Sequence, residues 1–435
     1  MTINHELLHL VAKCFYDILE SEVKTYLWPK QIGVAAPLGA EVGSQTVYQW
    51  CQRNQASEGK VLFIADFENA FNTVDRGRFL REVRHHMPGL ARWAEWCYGR
   101  PSNLFFEGAT LKSEVGVQQG DPLGPLFFAL ALQPVLTELS SIPGLDISFS
   151  YLDDLVMAGE QSAVAAGITQ LKVSAATLGL RLNMLKCELV PAVQGGASIN
   201  WELFDNNVPR KLDGCFKLLG APIGTVEYCQ SITNQRAAKV QSSLDAIGAL
   251  PDPQVALLLL RSCASFGKMV FSARATPFDL HQEQLLVYDK AVRQCFEQLS
   301  GLHPDDAQWL QATLATKAGG LGLCSLHKHS PAAYLASRSS CYQLCQQLDP
   351  EHFWEVCDPT SSAYKALELI NETTGPTEKI PVPAPPNLQQ RVLSSFVDRG
   401  SLRHLTDPQH STLSFNPHNV PLSIGYCRHL GSRYS

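Results

Sequence analysis

The chain has 435 residues, of which 45% are apolar and 17% are charged. This balance excludes a disordered, highly charged chain, and no run reaches the ~18 uninterrupted apolar residues of a membrane span. The thirteen cysteines, with no export signal at the N-terminus, are typical of reduced thiols inside a folded protein. The net charge of −6 argues against a nucleic-acid binder, although residues 61–190, with 10 basic and 14 acidic side chains, carry most of it.

The first part of the chain predicts helices around one buried strand. Apolar residues at helical spacing favour an N-terminal helix over residues 7–19. Residues 61–65 form a continuous apolar run of strand length, which suits a strand covered on both faces. Residues 76–98 are typical of helix. Asp121 followed by Pro122 predicts the start of a long apolar helix, because Asp caps helices and Pro fits the first helical position.

A tight hairpin follows this long helix. Residues 147–151 and 155–158 predict two strands on either side of residues 152–154, whose sequence is Leu-Asp-Asp. An alanine-rich helix is expected over residues 162–179, and Gly179 is a suitable residue to end it. Strands and helices in this order indicate an α+β fold.

The second part of the chain predicts helices. Residues 226–315 contain only helical patterns, and residues 316–323 form a glycine-rich break. Residues 376–387 contain five prolines and predict a stiff, exposed linker. No internal repeat is visible.

Three carboxylates stand out because of where the predicted strands end. Asp66 directly follows the buried strand, and Asp153 and Asp154 are adjacent at the hairpin tip. Neighbouring carboxylates in partly buried surroundings repel one another, and a hard divalent cation such as Mg²⁺ offsets that repulsion. Each feature also has a structural interpretation, Asp66 as a helix cap or strand end and the pair as a polar turn. Together they predict a two-ion site for phosphoryl transfer.

Four segments carry a family resemblance. They are ADFENAFNTVDR (65–76), GVQQGDPLGPLFFALALQPVL (116–136), YLDD (151–154) and GLRLNMLKCEL (179–189). In this order and at these separations they resemble the palm motifs of reverse transcriptases, most of all those of non-LTR (LINE-type) retrotransposons. Three further segments resemble other parts of the family. QIGVAAPLGAE (31–41) resembles its fingers–palm segment, and FKLLGAPIG (216–224) resembles its primer grip. KAGGLGL (317–323) resembles a segment beyond its thumb.

The resemblance implies a right-hand polymerase palm with partial fingers, followed by a helical thumb and a helical C-terminal extension. The implied bounds are 1–60 for the partial fingers, 61–225 for the palm with the primer grip, 226–325 for the thumb and 326–435 for the extension. The implied activity is RNA-directed DNA polymerisation, which adds deoxynucleotides to a primer 3′-hydroxyl. The implied partners are an RNA template, a DNA primer and deoxynucleoside triphosphates, with two Mg²⁺ ions, or Mn²⁺, as cofactors and no membrane.

The resemblance also assigns residues to roles. The implied catalytic and metal-binding residues are Asp66, Asp153 and Asp154, together with the backbone carbonyl of Phe67. Within this set, Asp66 and Asp153 bind the ions and Asp154 supports the site. The implied nucleotide-binding residues are Phe67, Phe71, Gln119, Gly120 and Lys186. The implied primer-binding residues are Tyr151, Lys217, Leu219 and Gly220.

Phe71 matches the family's steric gate, an aromatic ring that lies under the sugar and excludes a 2′-hydroxyl, so the expected product is DNA. Gln119, beside Gln118, is expected to contact the incoming nucleotide, and Lys186 to donate a proton to pyrophosphate. Each residue has a structural alternative. Phe71 is also typical of an ordinary core residue. The two glutamines are also typical of a polar loop, and Lys186 is also typical of an exposed strand end.

One feature of the N-terminal region leaves a second hypothesis open. The family grips the triphosphate with basic fingers strands upstream of the QIGV segment, and the thirty residues before Gln31 resemble no such strands. The sequence therefore predicts truncated fingers. The alternative to an active polymerase is a remnant that binds nucleic acid, or acts as an interaction module, without extending a primer.

Cys341, Cys345, His352 and Cys357 loosely resemble a zinc knuckle. The spacing of these ligand-type residues is wider than the usual pattern. Cys341 and Cys345 are also four residues apart, which suits one buried stripe of a helix. The core interpretation is therefore favoured over a zinc site.

Overall fold

The computed structural model describes residues 5–34, 36–375, 378–382 and 384–406. These residues divide into two compact units. The first unit comprises the described residues within Met1–Cys229 and Ser337–Trp354, and the second those within Gln230–Ala336 and Glu355–Ser435. Residues 407–435, the end of the predicted extension, lie outside the described residues.

The first unit combines helices with three antiparallel sheets. Its elements are α1 (His5–Leu27), α2 (Gly39–Arg53), β1 (Lys60–Ala65), α3 (Ala70–Thr73), α4 (Arg76–His86), α5 (Pro88–Tyr98), β2 (Ser102–Phe106), β3 (Ala109–Ser113), α6 (Gly124–Leu139), β4 (Leu145–Tyr151), β5 (Asp154–Glu160), α7 (Gln161–Thr177), β6 (Glu188–Pro191), β7 (Phe216–Leu218) and β8 (Ala221–Ile223). The described part of the chain is thus α+β, as its sequence predicts.

The second unit is helical in its described residues. Its elements are α8 (Val226–Gly248, whose first turn belongs to the first unit), α9 (Pro253–Leu259), a π-helical turn (Leu260–Ala264), α10 (Phe266–Ala275), α11 (Gln282–Ser300), α12 (Asp306–Thr313), α13 (Leu326–Leu348, whose residues from Ser337 belong to the first unit), α14 (Ser362–Thr373) and α15 (Gln390–Thr406). The predicted absence of strands from residues 226–315 is confirmed.

The main sheet has the strand order β4-β5-β1-β6, with β1 in the interior. Successive side chains of a strand point to opposite faces, and both faces of β1 are covered. Val61 and Phe63 pack into one apolar cluster, and Leu62 packs into another with Phe149 and Val156. This confirms the two-faced strand predicted from its continuous apolar run.

The long apolar helix α6 begins later than its sequence suggests. It starts at Gly124, and Pro125 rather than Pro122 occupies the first turn. Asp121 does not cap the helix: its Oδ1 accepts a hydrogen bond from Leu123 N–H (2.9 Å), and its Oδ2 accepts one from Tyr98 Oη (2.5 Å). The predicted cap was wrong because Asp121 forms a turn of its own ahead of the helix.

The predicted hairpin and the helix after it are confirmed. β4 and β5 pair antiparallel from Leu145 to Tyr151, and the last pair joins Tyr151 to Asp154. α7 then covers Gln161–Thr177. Gly179 follows it at φ 74°, a left-handed conformation that glycine adopts without steric cost.

A polar stripe on α2 contacts the returning segment 337–354 of the same unit. The stripe consists of Glu41, Gln45, Gln49 and Arg53, each four residues from the next. Gln45 Nε2 donates to Ser337 Oγ at 2.5 Å, and Arg53 Nη1 lies 2.9 Å from Asp349 Oδ2. Residues four apart share one helix face, so these polar groups form a continuous buried contact.

The candidate zinc-knuckle cysteines belong to different units. Cys341 and Cys345 are fully buried and pack with Val42 of α2. Cys357 is exposed and belongs to the second unit. The packing of Cys341 and Cys345 fits the core interpretation of their spacing.

Two described segments of the second unit differ from what their sequence suggests. The apolar run at residues 255–260 is typical of a buried helix, but Val255 and Leu258 of α9 are 47% and 52% exposed. By length and composition alone, the stretch Pro253–Ala275 is apolar enough to cross a membrane, as core helices of soluble proteins also are.

The second segment is the proline-rich linker, which the sequence predicts to be exposed. Residues 376, 377 and 383 of this linker lie outside the described residues. Ile380, however, is buried and exchanges two hydrogen bonds with the Asn371 side chain.

Candidate functional site

The main chain around Asp66 is held by backbone hydrogen bonds. Beyond the end of β1, the carbonyl of Asp66 accepts from Asn183 N–H at 2.8 Å, and Glu68 N–H donates to the carbonyl of Arg181 at 2.8 Å. Neither bond uses the carbonyl of Phe67, the expected backbone ligand. The segment after α7 thus fixes where the Asp66 side chain leaves the sheet.

The turn that carries Asp153 and Asp154 is held by side chains instead. Leu152, the first residue of the turn, has φ 57°. Gln31 Oε1 accepts from Leu152 N–H at 2.7 Å, and Gln31 Nε2 donates to the Leu152 carbonyl at 3.1 Å. Ser150 Oγ donates to the same carbonyl at 2.6 Å. Gln31 and Ser150 are fully buried, so the turn is clamped from within the protein.

Asp153 and Asp154 are close enough to Asp66 for its charge to affect both of them. Burial raises the pKa of Asp153, and the negative charge of Asp66 raises it further. Burial, then Asp153, then Asp66 raise the pKa of Asp154 to about 6. Mutually repelling carboxylate oxygens are the donor type that Mg²⁺ prefers, so these residues fit the expected ions. In the described ranges, however, no three His, Cys, Asp or Glu side chains are already gathered as a ligand cluster.

A cleft of about 310 Å³ opens beside these carboxylates. Its lining residues are Ile64, Ala65, Asp66, Asp154, Lys186, Glu188, Lys211, Phe216, Lys217 and Tyr228. The cleft therefore brings the predicted residues Lys186 and Lys217 to Asp66 and Asp154. Its three lysines beside the carboxylates of Asp66, Asp154 and Glu188 form a surface that suits a phosphate chain with its accompanying cations.

Phe71, the predicted gate, contacts both α6 and the loop before it. The half-buried ring of Phe71 stacks on Phe128 of α6, with the ring centroids 4.6 Å apart. Val117 N–H donates to the Phe71 carbonyl at 2.8 Å, which holds the loop beside Phe71. Gln119 and Gly120 follow in that loop, both exposed, and Gly120 has φ 88°. None of these residues lines the cleft of the lysines.

The expected primer-binding residues lie on two hairpins. Lys217 is exposed on β7, and Leu219 and Gly220 form the turn between β7 and β8, with φ 48° and 86°. Tyr151 ends β4. The side chains of Tyr151 and Leu219 pack against the same apolar cluster. The turn at Leu219 and Gly220, called the primer-grip turn below, therefore shares a core with the end of β4 that leads into the turn of Asp153 and Asp154.

Sequence reasoning missed three residues that the structure brings to the site. Gln31 and Ser150 hold the Leu152 turn, and Lys211 lines the cleft, 3.2 Å from Glu188. Gln31 opens the QIGV segment, so the resemblance pointed to its neighbourhood but not to its role. No pattern in the sequence marks Ser150 or Lys211.

Two sequence comparisons relate the chain to known proteins. Residues 7–222 match the family model described as reverse transcriptase (RNA-dependent DNA polymerase). A curated relative, the retrovirus-related Pol polyprotein from type-1 retrotransposable element R2 of Nasonia vitripennis, is 27% identical over 153 residues, which cover 32% of this chain and 15% of the relative. The chain thus matches a small part of that polyprotein's length.

Two solved structures also resemble the chain at low similarity. Telomerase from Candida albicans, in complex with a TWJ fragment of telomeric RNA, covers 78% of this chain with 7% identity and a TM-score of 0.35, and 55% of the telomerase chain is matched. The Candida tropicalis telomerase in the corresponding complex covers 77% of this chain with 8% identity and a TM-score of 0.40, and 56% of it is matched. Residues 7–222 therefore belong to the reverse transcriptase family, and the R2 relative supports the non-LTR type within it.

Proposed function

We propose that the chain is an RNA-directed DNA polymerase that extends a primer 3′-hydroxyl on an RNA template by a two-Mg²⁺ mechanism. The observation that carries the proposal is that Asp66 and Asp154 line one cleft with Lys186 and Lys217, while Asp153 is adjacent to Asp154 in the turn. Phosphoryl transfer needs mainly position and charge from a protein, and these carboxylates supply both. Membership of the reverse transcriptases supports the choice of template and product.

Asp66 and Asp153 would hold both ions, the Phe67 carbonyl would add a ligand, and Asp154 would support the site. Mg²⁺ bound there supplies the Lewis acidity that activates the 3′-hydroxyl and stabilises the leaving pyrophosphate. The chain's contribution is to keep the carboxylates in place, through the backbone bonds at Asp66 and the Gln31 clamp at Leu152.

Lysines of the cleft would bind phosphate. Lys186, which lines the cleft together with Asp66 and Asp154, would donate a proton to pyrophosphate as it leaves. Lys217 is exposed on the primer-grip side of the same cleft, and its charge would bind the primer backbone. Tyr151, Leu219 and Gly220 would position the primer end.

Phe71, Gln119 and Gly120 would select the nucleotide. The Phe71 ring, fixed by stacking on Phe128, would lie under the sugar and exclude a 2′-hydroxyl. Gln119 would contact the incoming nucleotide, and the exposed backbone at Gly120 lets it approach closely. The sugar preference of the reaction therefore rests on Phe71.

Primer extension by the purified chain tests the proposal. With an RNA template, a DNA primer, deoxynucleotides and Mg²⁺, we expect extension that a chelator abolishes. Asp153→Asn should lower the rate more than about a thousandfold, because it removes a ligand charge from the reacting centre. Asp205→Asn, a change at an exposed turn of the same unit, is the matched control and should retain the rate. A chain that binds the primer–template duplex but never extends it is the non-catalytic remnant, and the proposal is then wrong.

The sugar preference has its own test. Phe71→Ala should raise ribonucleotide incorporation relative to deoxynucleotide incorporation by at least about tenfold, because the barrier to the 2′-hydroxyl is removed. Phe71→Tyr keeps a ring at this position and is the control that should retain the preference. Efficient RNA synthesis by the unmodified chain would show that Phe71 is a core residue and not a gate.

A further inference from the structure

Cys324, His329 and Asp398 of the second unit form a line of contacts that the proposed polymerase reaction does not use. Cys324 Sγ lies 3.2 Å from His329 Nδ1, and His329 Nε2 lies 3.2 Å from Asp398 Oδ1. His329 is buried, while Cys324 and Asp398 are half-buried. A thiol, an imidazole and a carboxylate in this order are the arrangement that activates cysteine nucleophiles.

The hydrogen-bond partners of His329 fix its protonation state. Nδ1 also lies 3.0 Å from the carbonyl oxygen of Ser325. A carbonyl oxygen and an ionised carboxylate can only accept, so each ring nitrogen must carry a hydrogen. A neutral ring with a bare Nδ1 would place two lone pairs against each other at that position. His329 is therefore an imidazolium, and Cys324 Sγ faces its Nδ1–H as a second acceptor.

Burial alone would lower the pKa of His329, but its hydrogen bonds to Asp398 and Cys324 prevail and raise it to about 10. Cys324 also lies two residues before α13, whose N-terminal end favours negative charge. The other ionisable groups at this helix start are Asp289, His327 and Lys328. The Asp289 carboxylate is satisfied by Ser325 Oγ and two backbone N–H groups, at 2.6 to 3.0 Å.

We propose that Cys324 is a nucleophilic thiolate and a site of oxidation by peroxide. The Cys324 sulfur attacks one peroxide oxygen, the S–O bond forms as the O–O bond breaks, and the sulfur loses two electrons to the peroxide. The hydroxide released takes the Nδ1 proton of His329 and leaves as water. The products are a cysteine sulfenic acid, a neutral imidazole and water.

Alkylation of the native, full chain tests the thiolate directly. Each cysteine's reaction with iodoacetamide is followed by peptide mass spectrometry between pH 6 and pH 9. Cys263 and Cys357, both more exposed, are the reference thiols. At pH 6.5, Cys324 should react at least about fivefold faster than either, because His329 and Asp398 activate its sulfur. Exposure alone predicts the reverse order, so a Cys324 that is slower than Cys263 at every pH overturns the proposal.

Two variants separate activation by the neighbours from accessibility. Asp398→Asn and His329→Gln should each slow Cys324 alkylation at pH 6.5 to the rate of Cys263 or below, while Cys263 itself is unchanged. The buried Cys187 reports unfolding, because it would become reactive only in an unfolded variant. If either variant proves unfolded, the pH profile of the unmodified chain decides alone. An unchanged Cys324 rate in a folded His329→Gln chain overturns the proposal.

The oxidation step is tested with hydrogen peroxide, followed by a 1,3-dione probe that traps sulfenic acids. We expect the probe on Cys324 ahead of Cys263 and Cys357, and its loss in His329→Gln. Equal labelling of all three cysteines, or none on Cys324, contradicts a peroxide-reactive site.

Discussion

Two tight turns of the first unit each begin with a leucine in the left-handed backbone region, and they differ in what holds them. Leu152 opens the turn with Asp153, at φ 57°, and Leu219 opens the primer-grip turn, at φ 48°. This conformation costs a residue with a side chain about 1–2 kcal/mol. Each turn therefore needs support from its surroundings.

The primer-grip turn is supported by its own residues. Leu219 and Gly220 both have positive φ, which is the backbone of the hairpin turn that matches strand twist, and glycine suits the second position. The Leu152 turn instead depends on Gln31, 121 residues away, and on Ser150. A turn that its own residues hold should tolerate substitutions elsewhere in the chain. A turn that a distant side chain holds should move when that side chain is changed, and here it would move the carboxylates with it.

The two turns also share a feature, since each leucine lies over a glycine of the segment 31–43. A Cβ on Gly33 would lie 2.7 Å from the backbone nitrogen of Leu152. A Cβ on Gly43 would lie 2.9 Å from a terminal methyl carbon of Leu219. Backbone cannot move aside as a side-chain end can, so the same substitution should affect the two turns unequally.

Among the residues that support the two turns, the largest effect is expected from Gln31→Ala. This change removes two part-buried hydrogen bonds from the Leu152 backbone. The Leu152 carbonyl keeps its bond from Ser150, but the Leu152 N–H loses its partner, which costs about 1–3 kcal/mol. The turn relaxes, and a displacement of the carboxylates by about 1 Å costs on the order of a hundredfold in rate. We expect Mg²⁺-dependent primer extension to fall by about that factor, with a weaker apparent affinity for Mg²⁺.

Gln52→Ala is the control for this change. Gln52 is exposed on α2, and its side-chain oxygen accepts a hydrogen bond from the nearby Gln55 side chain, so its loss should leave extension and Mg²⁺ affinity unchanged. If Gln31→Ala lowers the melting temperature but leaves the rate of the folded chain intact, Gln31 stabilises the fold without positioning Asp153.

Gly33→Ala should come next, with about a tenfold loss of extension. The new methyl would meet the Leu152 backbone nitrogen at 2.7 Å, so the turn itself must shift. Gly89→Ala is the matched control, because a Cβ there meets nothing within 4 Å and alanine favours the helix that contains it. Equal activity in the two variants would show that the turn accommodates the methyl group.

The sequence predicts the elements around these turns better than the contacts between them. The buried strand β1 is visible as an apolar run, and the β4–β5 hairpin as two strands around Leu152. These signals are local, since they depend on alternation and on turn residues. The proximity of Asp66 to Asp153 came from the family resemblance, because spacing alone does not show which strands pair.

What the sequence does not reveal depends on long-range packing. Nothing near Gln31 shows that its amide meets Leu152, and nothing in the stripe of α2 shows that Arg53 meets Asp349. The start of α6 was misplaced for a related reason, because Asp121 bonds to Tyr98 from another helix. Side chains that find partners across the fold override the local preference from which a cap is predicted.

A smaller effect is expected from Ser150→Ala. It removes one donor to the Leu152 carbonyl, a contribution of about 1 kcal/mol, while the Gln31 bonds remain. Extension should fall about three- to fivefold. Ser148→Ala, on the same strand, is the control, because the buried Ser148 Oγ has no hydrogen-bond partner among the described residues, and its removal should be neutral or slightly stabilising. A loss in Ser148→Ala as large as in Ser150→Ala would mean that β4 is sensitive to any change.

The smallest effect is expected from Gly43→Ala, at the primer-grip turn. Its methyl would meet three side-chain ends, those of Ile32, Leu219 and Phe149, at 2.8 to 3.1 Å, and alanine stabilises the interior of α2 by about 1 kcal/mol. These terms oppose each other, so the melting temperature should change little and the KM for primer–template by no more than about twofold, with kcat retained. If Gly43→Ala instead lowers kcat as much as Gly33→Ala, both turns position the reacting groups, and the distinction between a local and a remotely clamped turn fails.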